Sequence, residues 1–583
     1  MNPLLRNNAT VQYKLNADND IHTARLFKRS GKVSGKYKNE WNIIEENQLK
    51  VINFDTDVTE LKVLEENIDT KDNSDSEEIV DDSESDSEET VFTETFITQA
   101  KSDVLDAKLR ELKSWELNQV YKPVEHKNQQ LMSLRWVLKP KVIEGVQSMK
   151  ARLVARGFEE SINFRTDSPT CLHSSVRIVL AIISSCQWNL RSLDYKTAFL
   201  QGNPISRELY VKPPKEANTD KIWQLRKTVY GLNDAPREWH LRLRNAVISL
   251  GCTSSSVNPG LFFYKISEDL HGIILTFVDD QVYGGSSTFV EKVINNLKSM
   301  FFISSEHSTS FQYIGIRATQ IDNKAIRIDQ NSYASNLQMI PISECRAQQK
   351  NDSLTSSEVS QLKSKIGKAN WIANMTRPDI SFLICHISSS AQHGTVQSIL
   401  NMNKLIRHIK ATPTSILYPA INLQRAYLAV YSDASYRNLT NGASQGAFII
   451  FLTDDSHCCP IFWSSTRLKR IVKSTLGAET LALAEGCDTA FMISKMIGEI
   501  INDKKSISIK CITDNKSLYL AAHTSNVLTD KRLLFEISSI REMIDKNEIQ
   551  LVWAPARQQL SNVLTKTGAS GIRLNKVLAR GKF

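Results

Sequence analysis

Apolar residues recur along this chain with two periods, and the switches between them mark its parts. Between about residues 10 and 60, short alternating runs (TARLFKR, EWNII, LKVINFD) are separated by Gly, Lys and Asn turn material, as in half-buried strands. That predicts a small β-rich unit over 1–62. From 63 to 94 the periodicity disappears; EENIDTKDNSDSEEIVDDSESDSEET has almost no apolar content, and a disordered, solvated linker is expected. Globular sequence resumes with VLDAKLRELKSWELNQVY, where Leu105, Leu109, Leu112 and Trp115 stand at helical spacing. Strands and helices alternate irregularly over 95–320, and 321–424 reads as mostly helical. From 425 the order is three strands (YLAVYSDAS, GAFIIFL, PIFWSS), a helix, a strand (ISIKCITDN), a helix, a strand (IQLVWAP) and a last helix. That order predicts a compact α/β domain over 425–583, within a multidomain chain of α/β and α+β units.

Composition narrows the class. A chain of 583 residues is too long for one core. Its 41% hydrophobic and 23% charged residues are ordinary for a soluble protein. No apolar run approaches the ~18 residues that span a bilayer, and the opening MNPLLRNNATVQYK has no basic-then-apolar leader. Cytoplasm or nucleus is the expected location, with no membrane partner. Nine cysteines without a CxxC pair argue against both a disulfide framework and a cysteine-rich zinc site. Cys458 and Cys459 are expected to be ordinary buried or loop thiols. The net charge of +9 hides an asymmetry, because Glu65 to Glu89 holds thirteen acids against the single Lys71. The rest of the chain is therefore +21, which suits a polyanionic partner.

Candidate chemistry lies in two sets of acids. In HGIILTFVDDQVYGG an apolar strand runs directly into Asp279 and Asp280. A second apolar strand, in NLRSLDYKTAFLQG, carries Asp194 at its end. Adjacent carboxylates at an apolar hairpin tip are costly to bury unless they bind cations, and a paired-metal site needs such acids on neighbouring strand ends. Taken alone, an Asp-Asp pair is more often solvated turn chemistry. Downstream, Asp433 lies on an alternating strand, Glu479 on a helix and Asp514 at a strand end. Acids remote in sequence on three elements are what a two-metal nuclease brings together, although each by itself is more often a cap or a surface residue.

Seven blocks in order, RWVLKPKV, KARLVARGFEE, LDYKTAFLQGN, ELYVKPP, VYGLNDAPREW, TFVDD and FQYIGI, resemble the reverse transcriptase of copia-type LTR retrotransposons. TRPDISF and the three downstream acids resemble the connecting segment and ribonuclease H of the same family. The resemblance implies a right-hand polymerase, with fingers and palm over 95–320, a thumb or connection over 321–424, and a ribonuclease H-like domain over 425–583. It implies an RNA-directed DNA polymerase that copies RNA into DNA and degrades the RNA of the hybrid. The implied partners are an RNA template, a DNA primer, the RNA–DNA hybrid and dNTPs, with a homodimer compatible. Two Mg²⁺ ions per active site, with Mn²⁺ an alternative, would be held by Asp194, Asp279 and Asp280, and by Asp433, Glu479 and Asp514. Lys150 and Arg152 would contact the triphosphate. Phe199 would exclude a ribose 2′-hydroxyl, with core packing as its alternative. Tyr230 and Gly231 would line the nucleotide pocket.

The chain departs from the family pattern at three places. Phe277 precedes Val-Asp-Asp where Tyr is usual, and Asn233-Asp234 stands where Lys-Gln is common. In WAPARQQLSNVLTK, Asn562 replaces the family's fourth acid, so a weakened nuclease is expected. At the other end, RLFKRSGKVSGKYKNEWNI resembles the tail of integrase, with Lys28, Arg29, Lys32, Lys36 and Lys38 as candidate DNA contacts. A zinc module, an integrase triad and an aspartic-protease motif are missing. A portion of a polyprotein, or a truncated genomic copy that has decayed or been adopted by its host for binding, is therefore the companion expectation.

Overall fold

Alternating runs near the N-terminus do become strands. In the computed structural model the described residues are 10–15, 22–29, 40–45, 48–53, 58–65, 94–143, 146–161, 164–439, 442–501, 506–524 and 530–583; side chains are described from Asp103 onward, except at 141–143 and 146–147. The chain divides into two compact units, Met1–Val91 and Phe92–Phe583. In the first, the described residues form one antiparallel sheet ordered Gln48–Asn53, Glu40–Glu45, His22–Arg29, Thr10–Leu15, Val58–Glu65. Of the linker expected over 63–94, residues 66–93 lie outside the described residues, as do the side chains of the candidate basic contacts, whereas its ends belong to the strand Val58–Glu65 and the helix Glu94–Leu117.

The second unit opens with the helix Glu94–Leu117. Its apolar stripe is only half used. Leu112 and Trp115 are buried, whereas Leu105 and Leu109 are 48% and 46% exposed. The buried face runs instead through Ala107 and Glu111. Glu111 accepts hydrogen bonds from Trp115 Nε1 at 3.3 Å and from the Leu153 amide at 3.4 Å. A polar residue with partners there thus displaces two leucines from the contact. Next to this helix, Leu134–Ile143 and Val146–Ala155 form a hairpin. Beyond it stands a four-stranded sheet ordered Tyr121–Val124, Ile222–Leu225, Tyr210–Val211, Leu131–Met132.

A six-stranded antiparallel sheet follows, ordered Thr253–Ser254, Leu261–Ile266, Asp269–Phe277, Asp280–Gly285, Arg191–Tyr195, Ile303–Ser308. Both of its faces are covered. Ile273, Leu275 and Val282 join a core shared with the helix His173–Ser185, while Leu193, Ile274 and Tyr283 join a second core with Trp239 and Phe289. Two buried faces explain why these strands read as unbroken apolar runs. The helices Ser356–Met375, Ser381–Ser389 and Val396–Ala411 build a separate helical core.

The last sheet is ordered Cys458–Arg467, Gln445–Thr453, Tyr427–Ser435, Ile509–Thr513, Ile549–Trp553. Its first three strands are antiparallel and its last two run parallel to Tyr427–Ser435 and to each other. The 27-residue helix Thr475–Ile501 packs on the sheet. Cys458 and Cys459 are buried and free, as expected. Among the described residues, no helix is long and apolar enough to cross a membrane.

One guanidinium joins the two sheets. Arg177, on the helix His173–Ser185, is buried, lies 3.6 Å over the Trp463 ring, and donates to the carbonyls of Ile461 and Met375, each at 3.2 Å, and of Asn374. Burial lowers its pKa to about 10, which still leaves it charged at neutral pH. Arg177→Met keeps the apolar stem and strands three acceptors. It is expected to destabilise the second unit by about 2–4 kcal/mol in urea unfolding. A loss under about 0.5 kcal/mol would show that the guanidinium does not join the sheets.

Candidate active sites

The first set of acids is assembled by strand register. Asp194 is the penultimate residue of Arg191–Tyr195 and is paired directly with Asp280, while Phe277 pairs with Asp280 across the hairpin, leaving Val278 and Asp279 as a two-residue tip. Directly opposed residues share a face of the sheet, so Asp194 and Asp280 meet there. Val278 adopts φ +55°, a left-handed conformation that a β-branched residue rarely takes. Two hydrogen bonds hold the tip: Trp239 Nε1 donates to the Val278 carbonyl at 2.7 Å, and the Tyr195 amide to the Asp279 carbonyl at 3.3 Å.

Across a cleft of about 350 Å³ from Asp194 and Asp279 stands the strand Val146–Ala155. Its alternation sends Ala151, Leu153 and Ala155 into the core and turns Lys150 and Arg152 to the cleft. Tyr230 completes that wall, with the Arg152 guanidinium 4.8 Å over its ring. Burial raises the pKa of Asp279, Asp194 raises it further, and Arg152 and Lys150 oppose the rise. Asp280 is pushed up to about 6 by burial, then by Asp279 and Asp194. Like charges crowded in this way call for cations.

Three expected residues stand off the cleft wall. Asp280 lies beside it in the sheet. Phe199 packs on Tyr230, ring centroids 5.3 Å apart, and bridges two cores. Gly231, at φ +92°, serves backbone packing: a Cβ there would lie 2.0 Å from the Ala155 carbonyl oxygen. Asp234, the unexpected acid, turns away from the cleft. It is buried and accepts from Arg207 at 2.6 and 3.1 Å, and the same guanidinium also pairs with Glu160. Arg207, shared by the two carboxylates, offsets part of their charge, and Asp234 does not line the cleft with the basic wall.

In the second set, Asp433, Glu479 and Asp514 offer ligand atoms that all lie within 4.8 Å of one another. They line a cavity of about 410 Å³ with Tyr436, Thr475, Asn515 and Lys566. Parallel pairing of Tyr427–Ser435 with Ile509–Thr513 brings Asp433 and Asp514 side by side. The helix start at Thr475 delivers Glu479. Gln559 Nε2 donates to the Ser432 carbonyl at 2.8 Å and so pins the block containing Asn562 to the same strand. Glu479 is pushed up to about 9 by burial, then by Asp433 and Asp514. Its Oε2 is buried without a hydrogen-bond partner, the condition in which a carboxylate accepts a cation. Asn562 does not line the cavity. Sequence reasoning missed Lys566 and Thr565, which donate to the two oxygens of Asp433. Their signal was proximity in sequence to Asn562.

Residues 115–349 match a family model described as reverse transcriptase (RNA-dependent DNA polymerase). The retrovirus-related Pol polyprotein from transposon RE1 of Arabidopsis thaliana is 27% identical over 477 residues, 78% of this chain and 31% of that one. The corresponding protein from transposon TNT 1-94 of Nicotiana tabacum is 23% identical over 496 residues, 80% of this chain and 37% of that one. Over more than three quarters of its length the chain is thus similar to copia-type Pol polyproteins. It spans about a third of the length of these relatives. A foamy viral protease–reverse transcriptase, solved in complex with double-stranded DNA, is similar at a TM-score of 0.45 and 11% identity, over 95% of this chain and 99% of that one.

The crowded acids imply a pH signature for the metal-free protein. The pKa of Glu479 is raised on folding, so the stability it contributes is full below its ordinary value of 4.5 and is lost as pH rises toward about 9. In a chelator, Glu479→Gln should therefore gain stability relative to the parent progressively between pH 5 and 9, measured by denaturant midpoints. A difference that stays constant across that window would contradict the burial and repulsion assigned to this carboxyl.

Proposed function

We propose that this chain is an RNA-directed DNA polymerase with an attached ribonuclease H. The observation that carries the reading is the placement of Asp194 and Asp279 on one wall of a cleft and of Lys150 and Arg152 on the other. On this reading the hairpin of Leu134–Ile143 and Val146–Ala155 and the adjoining four-stranded sheet are the fingers, and the six-stranded sheet is the palm. The helices between Ser356 and Ala411 are the thumb or connection, and the last sheet is the ribonuclease H-like domain.

In polymerisation, Lys150 and Arg152 would bind the triphosphate of a dNTP, and Tyr230 would support Arg152 from beneath. Asp194 and Asp279, backed by Asp280, would hold divalent cations, Mg²⁺ or Mn²⁺, which activate a primer 3′-hydroxyl and neutralise the departing phosphates. Phe199, braced by Tyr230, would close the space next to the sugar against a 2′-hydroxyl. In the second site Asp433, Glu479 and Asp514 would hold the cation needed to cut the RNA of a hybrid, which is recognised by shape rather than sequence.

Incorporation of dNTPs on a primed RNA template with Mg²⁺ tests this. Asp279→Asn is expected to lose more than about 100-fold in rate while template binding persists. If neither parent nor variant incorporates, and both are folded and bind template, the chain is a catalytically decayed nucleic-acid-binding protein instead. Phe199→Ala should raise the ratio of ribonucleotide to deoxynucleotide incorporation by about tenfold or more. An unchanged ratio would assign Phe199 to packing alone.

A further inference from the structure

The acidic cluster of the C-terminal domain carries a cation of its own. Lys566 Nζ lies 3.2 Å from Asp433 Oδ1 and 2.8 Å from Asn562 Oδ1. The short helical turn Ser561–Leu564 places Asn562 and Lys566 four positions apart on one side, within reach of the strand that bears Asp433. Asn562 Nδ2 donates to the Ala556 carbonyl at 3.0 Å, so both ends of the amide are engaged and its oxygen is fixed toward the ammonium. Asp433 is 1% exposed, and its other oxygen accepts from the Thr565 hydroxyl. On the opposite side of the cavity, Glu479 is 4% exposed with Oε2 unpartnered, and Asp514 remains accessible. The cluster is therefore asymmetric: one side is already occupied by an ammonium, and the other is a carboxylate pair with an open acceptor.

We propose that this cluster binds a single divalent cation, between Glu479, Asp514 and Asp433, and that the Lys566 ammonium, seated between Asn562 and Asp433, takes the place of a second. Charge balance favours that count. With Glu479 ionised on cation binding, three carboxylates and one ammonium leave −2, which one divalent ion neutralises. An acid at 562 would raise the negative charge and give a second ion an anionic ligand on that side, whereas the amide brings no charge and its oxygen is already held by Lys566. A second divalent ion at the Asp433–Asn562 edge would also sit against a fixed positive charge at close range. The departure at Asn562 and the lysine four residues later are thus one feature: the amide accepts the lysine, and the lysine neutralises the carboxylate that a second ion would use. The inference rests on the ribonuclease reading for the chemistry of this cluster, but the number of ions can be counted without any cleavage.

The experiment is a Mn²⁺ titration of the full chain carrying Asp194→Asn, Asp279→Asn and Asp280→Asn, followed by calorimetry and by electron paramagnetic resonance. Sites that persist after adding Glu479→Gln are subtracted. One Mn²⁺ is expected at the cluster, with an uncoupled spectrum. Adding Asn562→Asp and Lys566→Met together should give two ions with a spin-coupled signal, and Lys566→Met alone should tighten the single ion about tenfold. Two coupled ions, or none, in the parent overturns the proposal, and that result needs no alteration of Asn562 or Lys566. So does a double variant that folds and still binds one. A ribonuclease reading that fails would look different: the ion counts would follow this pattern while no variant cleaves an RNA–DNA hybrid.

Discussion

Both candidate sites depend on like charges being held closer than they would settle in water. Asp194 faces Asp280 across a strand pair, and Asp433, Glu479 and Asp514 converge within a few ångströms. Carboxylates repel, and burial adds a desolvation cost, so flexible loops would let them separate. Here they cannot, because each is anchored to an element whose other side chains are deep in a core. Ile273, Ile274, Leu275 and Leu193 fix the first pair, and Leu428, Val430 and Ile512 fix two of the second three. The apolar strands supply the energy that sets the acids in register, and the crowding makes a divalent cation the favourable partner.

The same logic explains how the molecule tolerates acids and bases elsewhere. Arg177 is buried on Trp463 and against three carbonyls, beside an apolar core that runs without a break from under the six-stranded sheet to the last sheet. Arg377 and Asp379, within TRPDISF, form a buried bidentate pair that also meets Thr412 and Asn575. That block reads most directly as a structural clamp between the helical core and the C-terminal helix. Arg207 performs a similar task for Asp234 and Glu160, and so holds the acid of the loop after Tyr230 off the cleft.

The departures from the family pattern are therefore better judged by their partners than by their identity. Phe277 packs against the main core, where a hydroxyl has no evident use. Asp234 is held by Arg207 away from the cleft. Asn562 has a lysine in reach, so its lack of charge is matched by a charge of opposite sign on its neighbour.

Much of this was legible from the chain alone. Apolar runs ending in acids announced the strands, because a strand covered on both faces must be apolar throughout, and the acids were visible as breaks in that pattern. The order of elements after residue 425 followed from their periodicities, except that two helices, Lys516–His523 and Lys531–Asp545, stand where one was expected between the last two strands. The tertiary structure decided what periodicity cannot encode: which side of a helix finds a neighbour, and which charges meet. Leu105 and Leu109 kept helical spacing yet stayed exposed, because Ala107 and Glu111 met the adjoining strand instead. Lys566 looked like one more surface lysine until the fold brought Asp433, 133 residues away in sequence, within 3.2 Å of it. Side-chain burial depends on local pattern, which the sequence carries. Coulombic pairing depends on distances across the fold, which only the packed chain defines.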